Sequence, residues 1–151
     1  MNKAELIAAA KEQWTTSEAA VAKAAQGNFD AAPAAGGWSA GDTFRHMIDA
    51  AHRTPEMMES LVKTGTLTLE DHNEDGIASF KTLKARMLPI ELNTAHGIIW
   101  MAAQKLTDAD LDRTVEFLGN KMPLGALLRE VLVGHEQGHV AHALAAAGVS
   151  A

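Results

Sequence analysis

Ile7, Ala10, Trp14, Ser17, Val21 and Ala24 recur at steps of three and four. This spacing constrains the fold more than any other feature, because it puts all six on one face of a helix. The period returns three more times. Phe44, Met47, Ile48, Ala51, Met58, Leu61 and Val62 make the inward face of a second helix opening at Ser39, with Arg45, Asp49, His52, Glu56, Glu59 and Lys63 expected outward. Leu92, Ala95, Ile99, Ala102 and Leu106 make a third, with Pro89 at a first helical position. The fourth runs from Pro123 to about Ala147. Gly27 to Gly37 interrupts the period with Gly, Pro and Asn, and Gly65 to Leu88 holds at most a short helix around Asn73 to Lys84. Thr54-Pro55 either kinks the second helix or restarts it. With Ala, Leu and Met favoured over branched residues and no convincing strand, the expectation is an all-α single domain over residues 1–151, a four-helix bundle.

The net charge of −6 and the lack of any Lys or Arg run exclude a nucleic-acid footprint and make an anionic membrane a poor partner. No apolar run is long enough to span a bilayer, and Glu5, Lys11 and Glu12 fall where a secretory signal would be apolar, so a cytoplasmic protein is expected. The chain has no Cys. Any thiol chemistry must therefore use an imported thiol.

On the fourth helix, a wheel of 100° per residue places Leu124, Leu128, Val131, His135, Gly138, His139 and His142 on one side, with Glu130, Glu136 and Gln137 off it. Imidazoles in an apolar face need partners, because an unpaired buried polar group costs on the order of 1 to 3 kcal/mol. His135 and His139 stand one turn apart, about 6 Å of rise, so both rings can reach one ion, whereas His142 lies about 10 Å from His135 along the axis. One of the outer two must drop out. A third ligand from another helix has four candidates: His46, His52, His72 and His96. His52 and His72 fall on the solvent side or in the loop, while His46 and His96 border apolar faces. Either shares a layer with His139 only if the second and third helices both run antiparallel to the fourth. That is an up-down-down-up bundle with a long crossover between helices two and three, and Gly65 to Leu88 is about that long.

Residues 135–139 also read H-E-x-x-H, the zinc-protease signature with Glu136 as general base. Only twelve residues follow His139, none of them acidic, so the downstream third ligand of such enzymes is missing.

Trp38-Ser39 opening a helix that carries His46, Asn73 after that helix, the run Leu106-Thr107-Asp108-Ala109-Asp110-Leu111, and Leu124-Gly125-Ala126-Leu127-Leu128 before the late Gly-His-x-x-x-His helix together resemble the DinB-like superfamily. The resemblance covers nearly the whole chain. It implies an up-down-down-up bundle with a three-histidine metal site, mapping here onto His46, His135 and His139. It also implies a divalent ion (Zn, Ni, Fe or Mn) and, from characterised relatives, a low-molecular-weight thiol such as bacillithiol or mycothiol. The expected activity is a metal-dependent thiol S-transferase or related hydrolase acting on a small-molecule substrate. His96, His142 and Glu136 are the candidate catalytic or proton-transferring residues. A homodimer is expected in either case. The competing expectation is a non-catalytic bundle, a dimerising or small-ligand-binding stress protein whose metal, if any, is structural or vestigial, with Trp100 and Met101 or the Met57 to Val62 segment as interface.

Overall fold

The computed structural model describes residues 1–67 and 70–150. Helix α1 (Lys3–Ala24) opens with a capping box, in which the Asn2 side chain accepts from Glu5 N and the Glu5 carboxylate accepts from Asn2 N. Helix α2 (Ala40–Thr64) is capped by Ser39, whose side chain accepts from Asp42 N, and it ends at Gly65 with φ 74°. It is continuous through Pro55, so the proline neither breaks nor restarts it. Strand β1 (Thr66–Leu67), helix α3 (Asn73–Ser79), helix α4 (Leu88–Gln104) and helix α5 (Asp108–Asp112) follow. Strands β2 (Thr114–Phe117) and β3 (Asn120–Pro123) lead into helix α6 (Leu124–Arg129), a π-helical turn (Glu130–Gly134) and helix α7 (His135–Ala147). Among the described residues, no helix is long and apolar enough to cross a membrane.

The strand-free expectation fails at one place. β2 and β3 form an antiparallel hairpin, pairing Thr114 with Pro123 and Phe117 with Asn120, and β1 adds to β2 in parallel. The hairpin loop is Leu118-Gly119, with φ 50° and 78°, the paired positive angles of a two-residue turn whose twist matches the strands. Four-residue strands are too short for an alternating pattern to stand out from the neighbouring helical period.

Four long helical rods enclose the core, and hydrogen bonds fix their ends. Lys3 N donates to Asp108 Oδ1 and Lys3 Nζ to the Gln104 carbonyl, setting the start of α1 beside the end of α4. Asn28 N donates to the Ala147 carbonyl at 2.9 Å, joining the end of α1 to the end of α7. A Cβ on Gly27 would overlap that same carbonyl, so the approach requires glycine.

The crossover from α2 to α4 is tied down by a residue expected at the surface. Arg45 is only 5% exposed. Its guanidinium donates to the carbonyls of Phe80 (3.2 Å) and Leu83 (2.8 Å) and pairs with Asp42 at 2.9 Å. The helix period placed Arg45 outward correctly, but the returning crossover covers that face.

The apolar core falls into two clusters. One gathers Leu6, Trp14, Met58, Leu61, Ile99, Leu111, Leu124 and Leu128. The other gathers Val21, Phe44, Ile48, Leu88, Leu92, Val140 and Leu144. The buried polar residues Ser17, His96 and Glu136 fall between them along α1, α4 and α7.

Candidate metal centre

His46 lies two turns inside α2, so the Ser39 cap fixes its height in the bundle. His135 begins α7 directly after the π-helical turn, and His139 follows one turn later. One ligand atom from each of these three histidines lies within 4.8 Å of the other two, so the group could hold a metal ion. His135 Nε2 and His139 Nε2 are 2.9 Å apart. The His46 ring meets His139 and His135 edge-on, at centroid distances of 4.6 and 5.6 Å. Trp38 roofs the cluster, 4.7 Å from the His46 ring and 6.2 Å from that of His139, and its Nε1 donates to Glu74 Oε1.

Burial, reinforced by the neighbouring His135, pushes the His46 imidazole down to about 4. Burial and the charges of His135 and His46 push His139 down to about 3, and burial also lowers His135. All three rings are therefore neutral at neutral pH, the form that binds metals. His46 is 6% exposed, and its Nδ1 has no hydrogen-bond partner. Nitrogen-only donors, neutral and converging, suit a borderline divalent ion of the Zn, Fe or Ni kind.

The remaining candidates divide. His142 lies outside the cluster, with its Nε2 3.1 Å from the Trp38 carbonyl. His96 is buried elsewhere: its Nδ1 faces Glu18 Oε1 and its Nε2 faces Glu136 Oε1, each at 2.9 Å. Trp14 stacks on it at 5.0 Å. Ser17 donates to Glu136 Oε2 at 2.6 Å, and Gln13 Nε2 donates to Ser17. His52 stacks on Phe80, and His72 pairs with Glu70 at the surface.

The wheel misjudged α7. Glu136, expected off the inward side, is 6% exposed, whereas His135, Gly138 and His142 are exposed. The π-helical turn shifts the register that a uniform 100° step assumes, and the histidines face a cleft instead of the packed interior. Sequence reasoning also missed Glu18 as a partner of His96, Ser17 as a partner of Glu136, and Gln13 as a donor to Ser17. The available signal was two polar residues four apart, Gln13 and Ser17, within or beside the apolar arc of α1.

A cavity of about 530 Å³ opens beside the cluster. His46, His135 and Glu136 line it together with apolar side chains that include Met47, Met57, Leu67, Ile99, Phe117 and Leu132. A second, more open cavity of about 520 Å³ is lined by Gly37, Trp38, Gly134, His135, Gly138, His139 and His142. His135 is common to both.

The sequence profile described as the DinB superfamily matches residues 9–143. No curated protein matches. Among solved structures, the fold is similar to the crystal structure of a histidine-to-alanine mutant of the mycothiol-dependent maleylpyruvate isomerase. The TM-score is 0.70 at 16% identity, covering 100% of this chain and 62% of that one. This chain thus spans less than two thirds of that protein.

Proposed function

The chain belongs to the DinB superfamily, and from that premise we propose that it is a metal-dependent enzyme, a thiol S-transferase or related hydrolase, whose divalent ion is held by His46, His135 and His139. The observation that carries this reading is the convergence of three neutral imidazoles within 4.8 Å beside an apolar cavity. We read the bundle as up-down-down-up; the contacts at the helix ends support it, because that topology lets α2 and α7 present their histidines at one height. The mycothiol dependence stated for the solved neighbour makes a low-molecular-weight thiol the favoured co-substrate class.

A divalent ion at the three rings would supply Lewis acidity, favouring the anionic form of a bound thiol or water. The chain's own residues do the rest. Trp38 packs on His46 and His139 and limits water at the rings. The apolar cavity wall orients the electrophile's body against His46 and His135. His142 Nε2, 3.1 Å from the Trp38 carbonyl, ties α7 to the segment that carries the roofing indole. Both carboxylate oxygens of Glu136 are engaged, one by His96 and one by Ser17, and it acts as a positioning residue for α7. With its oxygens so occupied, Glu136 is not poised as the general base of an H-E-x-x-H protease.

A second reading, a non-catalytic bundle that pairs with its own copy, draws on Ile90 and Met101, which are 58% and 55% exposed on α4. Metal analysis of the purified protein, paired with a thiol-consumption assay on a panel of small electrophiles, decides between them. The enzyme reading expects metal retention and thiol consumption to vanish together in His46→Ala and His139→Ala. Metal retained without turnover across the panel would favour the second reading, and no metal after reconstitution would remove the three-histidine site from both.

A further inference from the structure

Gly134 stands directly before His135 in the last helical rod, and its backbone angles of −61° and −46° are ones that any residue adopts. Glycine is disfavoured in a helix relative to alanine, so its presence here needs a cause other than backbone conformation. The cause lies in what a Cβ would meet. The three atoms nearest to it belong to the carboxylate of Glu130, Oε2 at 2.7 Å and Cδ and Oε1 at 2.8 Å. That carboxylate therefore rests on the bare Cα of Gly134, in a seat that an alanine would fill.

The seat leads toward the metal cluster. In an α-helix, residues five apart project about 140° from each other. The π-helical turn, closed by His135 N–H donating to the Glu130 carbonyl, narrows that angle, and Glu130 and His135 line one cavity together with His46. This is the more enclosed, inner cavity of the two. Burial lowers the His135 imidazole, and the charges of Glu136 and Glu130 act against that lowering. Among the described residues, Glu136 in this lining is engaged by His96 and Ser17 and Glu70 faces His72, whereas the Glu130 carboxylate has no hydrogen-bond or ion-pair partner. Its oxygens stand outside the ligand atoms that lie within 4.8 Å of one another. Such a position suits a group that acts on the metal through a molecule bound there rather than as a direct ligand.

We propose that Glu130 belongs to the metal centre as a positioning residue: from its seat over Gly134, the carboxylate accepts a hydrogen bond from a water or thiol held at the open side of the ion. The centre then favours a ligand that carries a hydrogen on its coordinating atom over a bare anion, which the fixed negative charge repels. The inference rests on the three-histidine reading above and adds which ligands the ion retains.

The test uses the full chain loaded with cobalt and reads cobalt affinity by chelator competition, the visible cobalt spectrum, azide affinity and thermal denaturation. Glu130→Ala is expected to weaken cobalt binding about tenfold, to shift the spectrum and to tighten azide about threefold. Glu56→Ala removes another carboxylate from the same lining and is expected to leave both affinities within about twofold. Gly134→Ala keeps the charge but fills the seat. It is expected to reproduce the cobalt and spectral effects with a melting temperature no lower than that of wild type, and to add nothing further in the Glu130→Ala background. No change in Glu130→Ala, equal responses in Glu130→Ala and Glu56→Ala, or a Gly134→Ala effect that persists in full without Glu130 would overturn the inference and leave the metal reading intact. Wild-type protein that binds no cobalt would overturn both.

Discussion

The imidazoles of the cluster carry a stability cost with a defined sign. His46 titrates near 6.5 in the unfolded chain and near 4 in the fold, so in that window the unfolded state binds the proton and the folded state does not. Stability from this group is complete above 6.5 and is lost as pH falls through 4, by about 3 kcal/mol at most. His139, lowered to about 3, acts in the same direction. Urea denaturation of metal-free protein across pH 7 to 4 should show a falling midpoint, and His46→Leu should flatten the fall. The His96 group makes a different prediction. His96→Leu leaves the buried Glu136 carboxylate without its imidazole partner, and an unsatisfied buried polar group costs about 1 to 3 kcal/mol or more. The double variant with Glu136→Leu should lose less than the sum of the two single losses in the same assay. The closeness of His135 and His139 was legible from their spacing of four, whereas position on the helices left His46 and His96 both open and only the family resemblance singled out His46. The burial of Glu136 was not legible, since its partners His96 and Ser17 come from helices 40 and 119 residues away in sequence.

Among the elements, the π-helical turn at Glu130–Gly134 has the largest leverage. It carries one residue more per turn than the α-helix on either side, and that extra residue sets the direction in which α7 presents His135 and His139. Deleting Val131 should restore α-helical register, rotate both histidines by about 100° and abolish metal binding while far-UV dichroism stays helical. Metal titration by calorimetry checks it. Helices α1, α2 and α4 were readable to within about two residues at most ends, because caps such as Asn2, Ser39 and Gly65 are local chemistry. The π-helical turn was not readable, because nothing in the periodicity of residues 124–147 marks it, and the contacts of Glu136 with His96 and Ser17 that follow it are tertiary. The sheet escaped for a similar reason, since β1 and β2 are joined by contacts across the crossover, such as Glu116 N donating to the Gly65 carbonyl.

At the scale of the whole molecule, the bundle class was legible because four periodic segments separated by glycine and proline allow few other arrangements. The split of its core into two apolar clusters with a polar layer between them was not, since that layer exists only once α1, α4 and α7 align. The three rings join α2 to α7, so an ion bound there should stabilise the fold by mass action. Zinc should raise the melting temperature in a concentration-dependent way, and a chelator should reverse the shift in wild type but have nothing to reverse in His139→Ala. Part of the wall of the inner cavity, by contrast, is Leu67 and Phe117, supplied by the paired strands β1 and β2. The tight turn after β2 sits at the rim of the domain and shares no residue with the histidine end. A lineage could therefore lengthen or trim that edge and acquire an appetite for different compounds while the chemical apparatus is inherited untouched.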